Sequence, residues 1–220
     1  MKKYFILIVL MVLYSCKKTE VFLGPNLYFE NPQPINDSEL SKFPNKFKGL
    51  YIDEDSLFLK IQENVIFTER YFKFKIHKNE LDSLKNEFIF SKGKLINKKR
   101  NETYEVAIKE DSIELTNKTI DTIFIFSNTQ KAKRINGSLV LNTKDSVFWT
   151  IKTISLEKNI LKLKYIYSEE DLKKLDSILK EKPKMIDSSS FIIRPTRNEF
   201  KKILNLKNFG DDHEFKKVLK

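Results

Sequence analysis

Apolar and charged residues alternate one for one along Phe72-Lys73-Phe74-Lys75-Ile76-His77 and again along Leu161-Lys162-Leu163-Lys164-Tyr165. A period of two sends successive side chains to opposite faces of an extended chain, so each stretch predicts a strand with one buried face. Similar pieces recur at Leu57 to Gln62, Glu87 to Ser91, Thr103 to Ile108, Ser112 to Thr116, Thr119 to Phe126, Leu139 to Asn142 and Val147 to Leu156. Short polar turns separate them, among them Lys92-Gly93-Lys94, Asn117-Lys118 and Glu157-Lys158-Asn159. Connections this short leave no room for crossover helices, so neighbouring strands pair antiparallel. About ten strands are too many for a flat open sheet, which makes the expected fold mainly β (α+β): an antiparallel curled sheet, barrel or sandwich.

The C-terminal part changes period. Ser168-Glu169-Glu170-Asp171 has the form of an N-cap with acids in the first turn, Leu172, Leu175 and Leu179 then share a face, and Pro183 ends the run. Phe191 to Arg194 reads as one more strand, and Thr196-Arg197-Asn198-Glu199 is a capping box opening a second helix with Phe200, Ile203 and Leu204 on one side. Each stripe is narrow and needs the sheet to bury it, so residues 46–220 are expected to form a single β-rich domain with two C-terminal helices. Before it, four of the six prolines (Pro25, Pro32, Pro34, Pro44) fall where neither period persists, and 16–45 reads as a stiffened tether with, at most, one strand laid on the domain.

The 220 residues include 18 Phe and 8 Tyr, enough apolar area for a real core. The formal charge of +11 invites a nucleic-acid reading at Lys98-Lys99-Arg100 and at Lys131, Lys133 and Arg134, but base readout favours Arg, and this chain has only 5 beside 36 Lys interleaved with acids. The charge therefore reads as a solvated surface with no nucleic-acid partner. Five glycines leave no phosphate loop, two histidines 136 positions apart leave no paired-His metal motif, and no Gly-x-Ser-x-Gly or His-Glu-x-x-His occurs, so no cofactor and no catalytic or metal residue is assigned. Asp53-Glu54-Asp55 and Asp211-Asp212-His213 are read as a hairpin turn and a helix N-terminus rather than as ligands. His77 belongs to the lysine face of its strand, and Trp149 to the core. With 30 acids in the chain, a carboxylate-based hydrolase stays an alternative function, although no pair stands out.

Lys2 and Lys3 precede an uncharged, mostly apolar run from Tyr4 to Ser15, which as a helix spans only about 18 Å of a hydrocarbon core of about 30 Å. That is the form of an export signal. The chain's only cysteine ends it, in Leu13-Tyr14-Ser15-Cys16. The segment resembles a bacterial lipobox. The resemblance implies a signal peptide over 1–15, cleavage before Cys16, diacylglycerol on its thiol, and a palmitate-type acyl chain on the new amine. Two or three chains at about 0.8 kcal/mol per buried methylene make a lasting anchor, so the first partner is a membrane. Neither an aspartate directly after the cysteine nor an acidic cluster follows, which favours the periplasmic face of the cell outer membrane, with the cell surface second.

Eight of the twelve aspartates are followed by Ser or Thr, where composition alone gives roughly one or two, and six of these pairs precede an apolar residue. Asp and Ser side chains bond nearby backbone at strand entries, which accounts for the pairs as turns. Asp-(Ser/Thr)-apolar also resembles the O-glycosylation motif of exported Bacteroidota proteins, which makes Ser56, Ser83, Ser112, Thr122, Ser146 and Ser177 candidate acceptors. Ser56, Ser112 and Ser146 are expected to be the most accessible, Ser177 within a helix and Thr122 within a strand the least. Gly49-Leu50-Tyr51 is similar to the Gly-x-Trp entry of lipocalins, which implies, as an alternative, a carrier of a small apolar ligand. More of the chain, from Phe47 to Phe200, is similar in layout to uncharacterised Bacteroidota lipoproteins. The expected function is thus an outer-membrane lipoprotein with a non-enzymatic binding or envelope-associated domain, whose partner is an envelope protein, a glycan or a small apolar ligand.

Overall fold

The computed structural model describes residues 26–166 and 169–219. The lipobox with Cys16, the first part of the tether and the Ser168 cap lie outside the described residues. One mixed sheet of fifteen strands, curled but not closed into a barrel, makes up most of the chain. Along it lie β13 (Lys184–Asp187), β14 (Ser190–Ile193), β1 (Asn26–Phe29), β11 (Phe148–Glu157), β12 (Ile160–Tyr165), β15 (Asp211–Lys217), β2 (Gly49–Ile52), β3 (Phe58–Ile61), β4 (Val65–His77), β8 (Ser112–Ile125), β7 (Thr103–Lys109), β6 (Lys94–Asn97) and β5 (Phe88–Ser91), in that order. β10 (Ser138–Asp145) joins β11 and carries β9 (Gln130–Ile135) outside it. Every pairing is antiparallel except β1 with β14.

The alternation of β11 serves two cores at once. Ile154 and Leu156 face an inner core with Leu139, Leu141, Leu161, Leu163 and Phe215, which Phe43 and Phe47 cover from the preceding loop. Trp149 and Ile151 face the other side, where the two helices, α2 (Glu169–Leu175) and α3 (Arg197–Leu204), bury Leu175, Phe200 and Ile203 against Phe29 and Ile193. The inner face is filled by rings such as Phe43, Phe47, Tyr51 and Phe124, each at most 1% exposed, and the sheet is not closed into a barrel.

Two expectations change and a third gains detail. The stretch read as a tether with one strand laid on the domain has that strand in β1, which pairs on both sides, and it stays packed on the sheet beyond it: Phe43 is buried, and side chains of the sheet hold the Pro-rich stretch. Asn142 accepts the Gln33 N–H (2.6 Å) and donates to the Gln33 carbonyl (2.8 Å), while Lys133 donates to the carbonyls of Pro32 (3.1 Å) and Pro34 (2.9 Å). Such a segment needs no period of its own because its partners are supplied from elsewhere. Asn117-Lys118 is not a turn but the middle of the fourteen-residue β8, where Asn117 donates to the Thr103 carbonyl and Lys118 pairs with Glu69. Asp211-Asp212-His213 begins a strand, not a helix, because β12 offers it a full antiparallel ladder. The Thr196–Glu199 capping box forms as read, with both reciprocal bonds present.

Candidate functional site

Two surfaces combine chemistry with exposure. The first is a cleft of about 410 Å³ where the β2–β3 turn meets the C-terminal strand. It brings together the two acidic clusters seen in the sequence: Asp53, Glu54 and Asp55 from the turn, Asp212, His213 and Glu214 from β15, with Lys216 beside them. His213 Nε2 lies 2.7 Å from Asp53 Oδ2, and its ring stacks on Phe215 at 4.4 Å. Asp53 is also the keystone of its own turn, since its Oδ1 accepts the Leu57 N–H at 2.8 Å. The pair therefore staples the turn to β15 across 160 positions of chain. No hydroxyl or thiol nucleophile lines the cleft. Among the described residues no three His, Cys, Asp or Glu side chains are placed to hold a metal ion. His77, on the other hand, is exposed, and its Nδ1 accepts the Asn79 N–H; Trp149 is buried with Lys131 and Lys144 over its ring.

The second surface is a projecting arm. Beyond Glu69, β4 leaves β3 behind and continues with β8, β7, β6 and β5 as a five-stranded antiparallel sheet. Residues opposite one another share a face, so Phe72, Tyr104, Leu95 and Phe90 form one row, Phe74, Leu115 and Val106 the next, and Ile76, Ile113 and Ile108 the last. One helical turn, α1 (Leu81–Leu84), covers the middle, burying Leu95, Ile113 and Leu115. It leaves Phe72 49%, Phe74 44%, Phe90 56% and Ile108 64% exposed. The half-buried strand read from the alternation at Phe72 to His77 thus has its pattern but lacks most of its cover.

At the root of the arm Glu69 is buried, with Lys60 and Lys118 each 2.7 Å from its carboxylate. Burial pushes its carboxyl up, but the hydrogen bonds from Lys118 and Lys60 outweigh that and hold it below the ordinary glutamate value. Lys118 is raised in turn by the same bond. Tyr71 and Lys118 continue into a shallow groove of about 400 Å³ on the other face of the arm, with Lys94, Thr103, Glu105 and Thr116.

The candidate acceptors scatter over the surface. Ser56 (φ 61°) and Ser146 (φ 56°) sit exposed in left-handed turn positions, as the turn chemistry of Asp-Ser pairs implies. Thr122 is exposed although it lies in β8, beside the register shift near Ile66, and Ser177 is exposed just past the end of α2. Ser112, expected among the most accessible, is half-buried with its hydroxyl donating to the Lys109 carbonyl. Ser83 and Ser177 are exposed but donate to the carbonyls of Glu80 and Lys174. No family of known proteins, no curated protein and no solved structure matches this chain.

Proposed function

We propose that this chain is a lipoprotein of the outer membrane, anchored through an acylated Cys16 and facing the periplasm, whose β domain is a non-enzymatic binding module with the arm as its binding surface. The anchor rests on the position of the lone cysteine directly after an apolar run too short to span a bilayer. The binding role rests on one observation: among the described residues the exposed aromatic rings, Tyr71, Phe72, Phe74 and Phe90, all belong to the arm, and Phe72, Phe74 and Phe90 share one of its faces. Exposed apolar groups gathered in one place mark interaction surfaces, whereas the same residues scattered singly do not. The His213–Asp53 pair is accounted for as a staple, and both its members are committed to it.

Photo-crosslinking in native envelopes tests the binding role. Probes placed at Phe72 and Phe90 should capture a discrete envelope component, and changing Phe74 and Ile108 to Ser should abolish the capture while leaving the chain in the membrane fraction. Capture that persists in that variant removes the arm from the binding role. The Asp-(Ser/Thr) sites are proposed as glycan acceptors in the order exposure dictates: Ser56, Ser146 and Thr122 first, Ser83 and Ser177 next, Ser112 last. An intact mass equal to the lipidated polypeptide alone would leave turn formation as their whole explanation.

A further inference from the structure

The partner strand β3 reaches β4 only from Ile66 to Glu69. From Arg70 to His77, β4 is bonded to β8 on one side, and among the described residues no strand lies on its other side. Eight extended residues present an open edge of about 26 Å with about four N–H and four C=O groups pointing outward. Natural edges are kept from indiscriminate pairing by being short, bulged, broken by proline or charged, above all with lysine. Here the register with β8 runs without a shift from Phe67 to His77, and the stretch contains no proline. The other edge of the arm, β5, has four residues.

The side chains on this edge have one sign. Lys73 and Lys75 share one face of it, Arg70 lies at its start on the face of Phe72, Lys78 follows directly after it, and no acid occurs between Arg70 and Asn79. Glu114, opposite Lys75 on β8, is already paired with Lys109 at 3.0 Å, and neither Lys73 nor Lys75 makes an ion pair among the described residues. On the opposite face Phe72 and Phe74 are 49% and 44% exposed. A strand added beside β4 meets apolar rings on one face and ammonium groups on the other. A second copy of this chain is a poor fit, since antiparallel pairing of two such edges sets lysine against lysine, which is destabilising.

We infer that the open edge of β4, from Arg70 to His77, is a docking site for an extended segment of another polypeptide in which acidic and apolar residues alternate, bound by strand addition. Main-chain bonds along the edge supply affinity, and the alternation selects the partner: acids toward Lys73 and Lys75, apolar side chains toward Phe72 and Phe74. The inference rests on the arm being the binding surface and adds which part of it binds and what it takes.

The probes are three blocked octapeptides added to the full chain: alternating Val-Glu, alternating Val-Lys, and a Val/Glu sequence of the same composition with the residues in two blocks. Hydrogen exchange reports where each binds. The Val-Glu repeat should bind tightest and slow exchange of the amides between Tyr71 and His77. Reversing Lys73 and Lys75 together to Glu should weaken it at least about tenfold and transfer preference to the Val-Lys repeat, because each cross-strand pair turns from attraction to repulsion. Reversing Lys99 and Arg100, in the loop before β7, should change neither. Circular dichroism of each variant confirms that it is folded. Equal binding of all three peptides overturns the proposal. So does protection of the edge in the free chain that grows with protein concentration, which would assign the edge to a second copy. Binding that protects the Phe90 side of the arm and not β4 also overturns it, while leaving the arm as a binding surface intact.

Discussion

Replacing Asn142 with Leu asks whether the Pro-rich stretch belongs to the fold. Asn142 is fully buried, and its amide holds both backbone groups of Gln33, itself 1% exposed. Leu has nearly the same size and offers neither donor nor acceptor, so the Gln33 N–H and C=O lose their partners without reaching water. A buried backbone group stripped of its partner costs about 1–3 kcal/mol, so the two together cost about 3 kcal/mol unless the segment lifts away. Around Gln33 little can compensate, because among the described residues its Oε1 already has no partner and Lys133, which holds Pro32 and Pro34, is the neighbouring buried side-chain anchor. For a chain of this size about 3 kcal/mol lowers the melting temperature by about 6–12 °C. Lys133→Met removes the donor to Pro32 and Pro34 and should cost a similar amount. The double variant should cost at least about 1 kcal/mol less than the sum, since a segment released once has little left to lose. Urea unfolding measures all three, and hydrogen exchange across residues 26–47 shows whether release is local. A loss below about 1 kcal/mol with unchanged protection would refute the claim that these contacts bind the stretch to the sheet.

Glu199 accepts from the Thr196 hydroxyl (2.6 Å), the Thr196 N–H (2.8 Å) and the Lys180 N–H (2.9 Å), and the Thr196 hydroxyl bond, followed by the backbone bonds, outweighs burial and holds its carboxyl below the ordinary value. A carboxyl depressed in the folded state contributes stability that is present above its unfolded value of about 4.3 and is lost as pH falls through its lower folded value, so Glu199→Gln should cost about 1–3 kcal/mol at pH 7 and progressively less below pH 4 in urea titrations. Gly210 adopts φ +69° and its N–H donates to Asp171; a Cβ there would collide with the Tyr165 carbonyl oxygen, so Gly210→Ala should destabilise by about 3 kcal/mol or more, read as an earlier thermal midpoint. Asp53→Ala removes the acceptor of the Leu57 N–H as well as the His213 partner, while Asp53→Asn keeps an acceptor in place, so the alanine variant should be less stable by about 1 kcal/mol in the same assay.

The strands were legible where burial imposes a period, as at Leu161 to Tyr165, and so was the Thr196 capping box, where four residues carry their own hydrogen-bond logic. β2, β6, β9, β13 and β15 were not, nor was the place of β1 within the Pro-rich stretch. β1 lies beside prolines, while β15 reads Asp-Asp-His-Glu-Phe-Lys-Lys, with one apolar residue in seven, and is held by β12 rather than by its own composition. Lys133, read as part of a basic patch, is buried because backbone carbonyls 99 and 101 positions away accept from its ammonium, a partnership with no local signal. Burial pushes its ammonium below the usual lysine value. The alternation at Phe72 to His77 identified a strand correctly but could not say that β3 stops short and leaves its faces open. Likewise the two acidic clusters were visible separately, and only the pairing of β15 with β2 brings His213 to Asp53.

Where the proposed binding surface would work depends on Cys16. The decisive measurement is the mass of the N-terminal proteolytic fragment of the chain isolated from the membranes of its native host. The fragment should begin at Cys16, carry a diacylglyceryl group on the thiol and an acyl chain on the amine, and a Cys16→Ala chain should leave the membrane fraction. A fragment that begins elsewhere, or one that begins at Cys16 with a free thiol in a chain recovered without detergent, would contradict the anchor and with it the placement of the arm at the outer membrane.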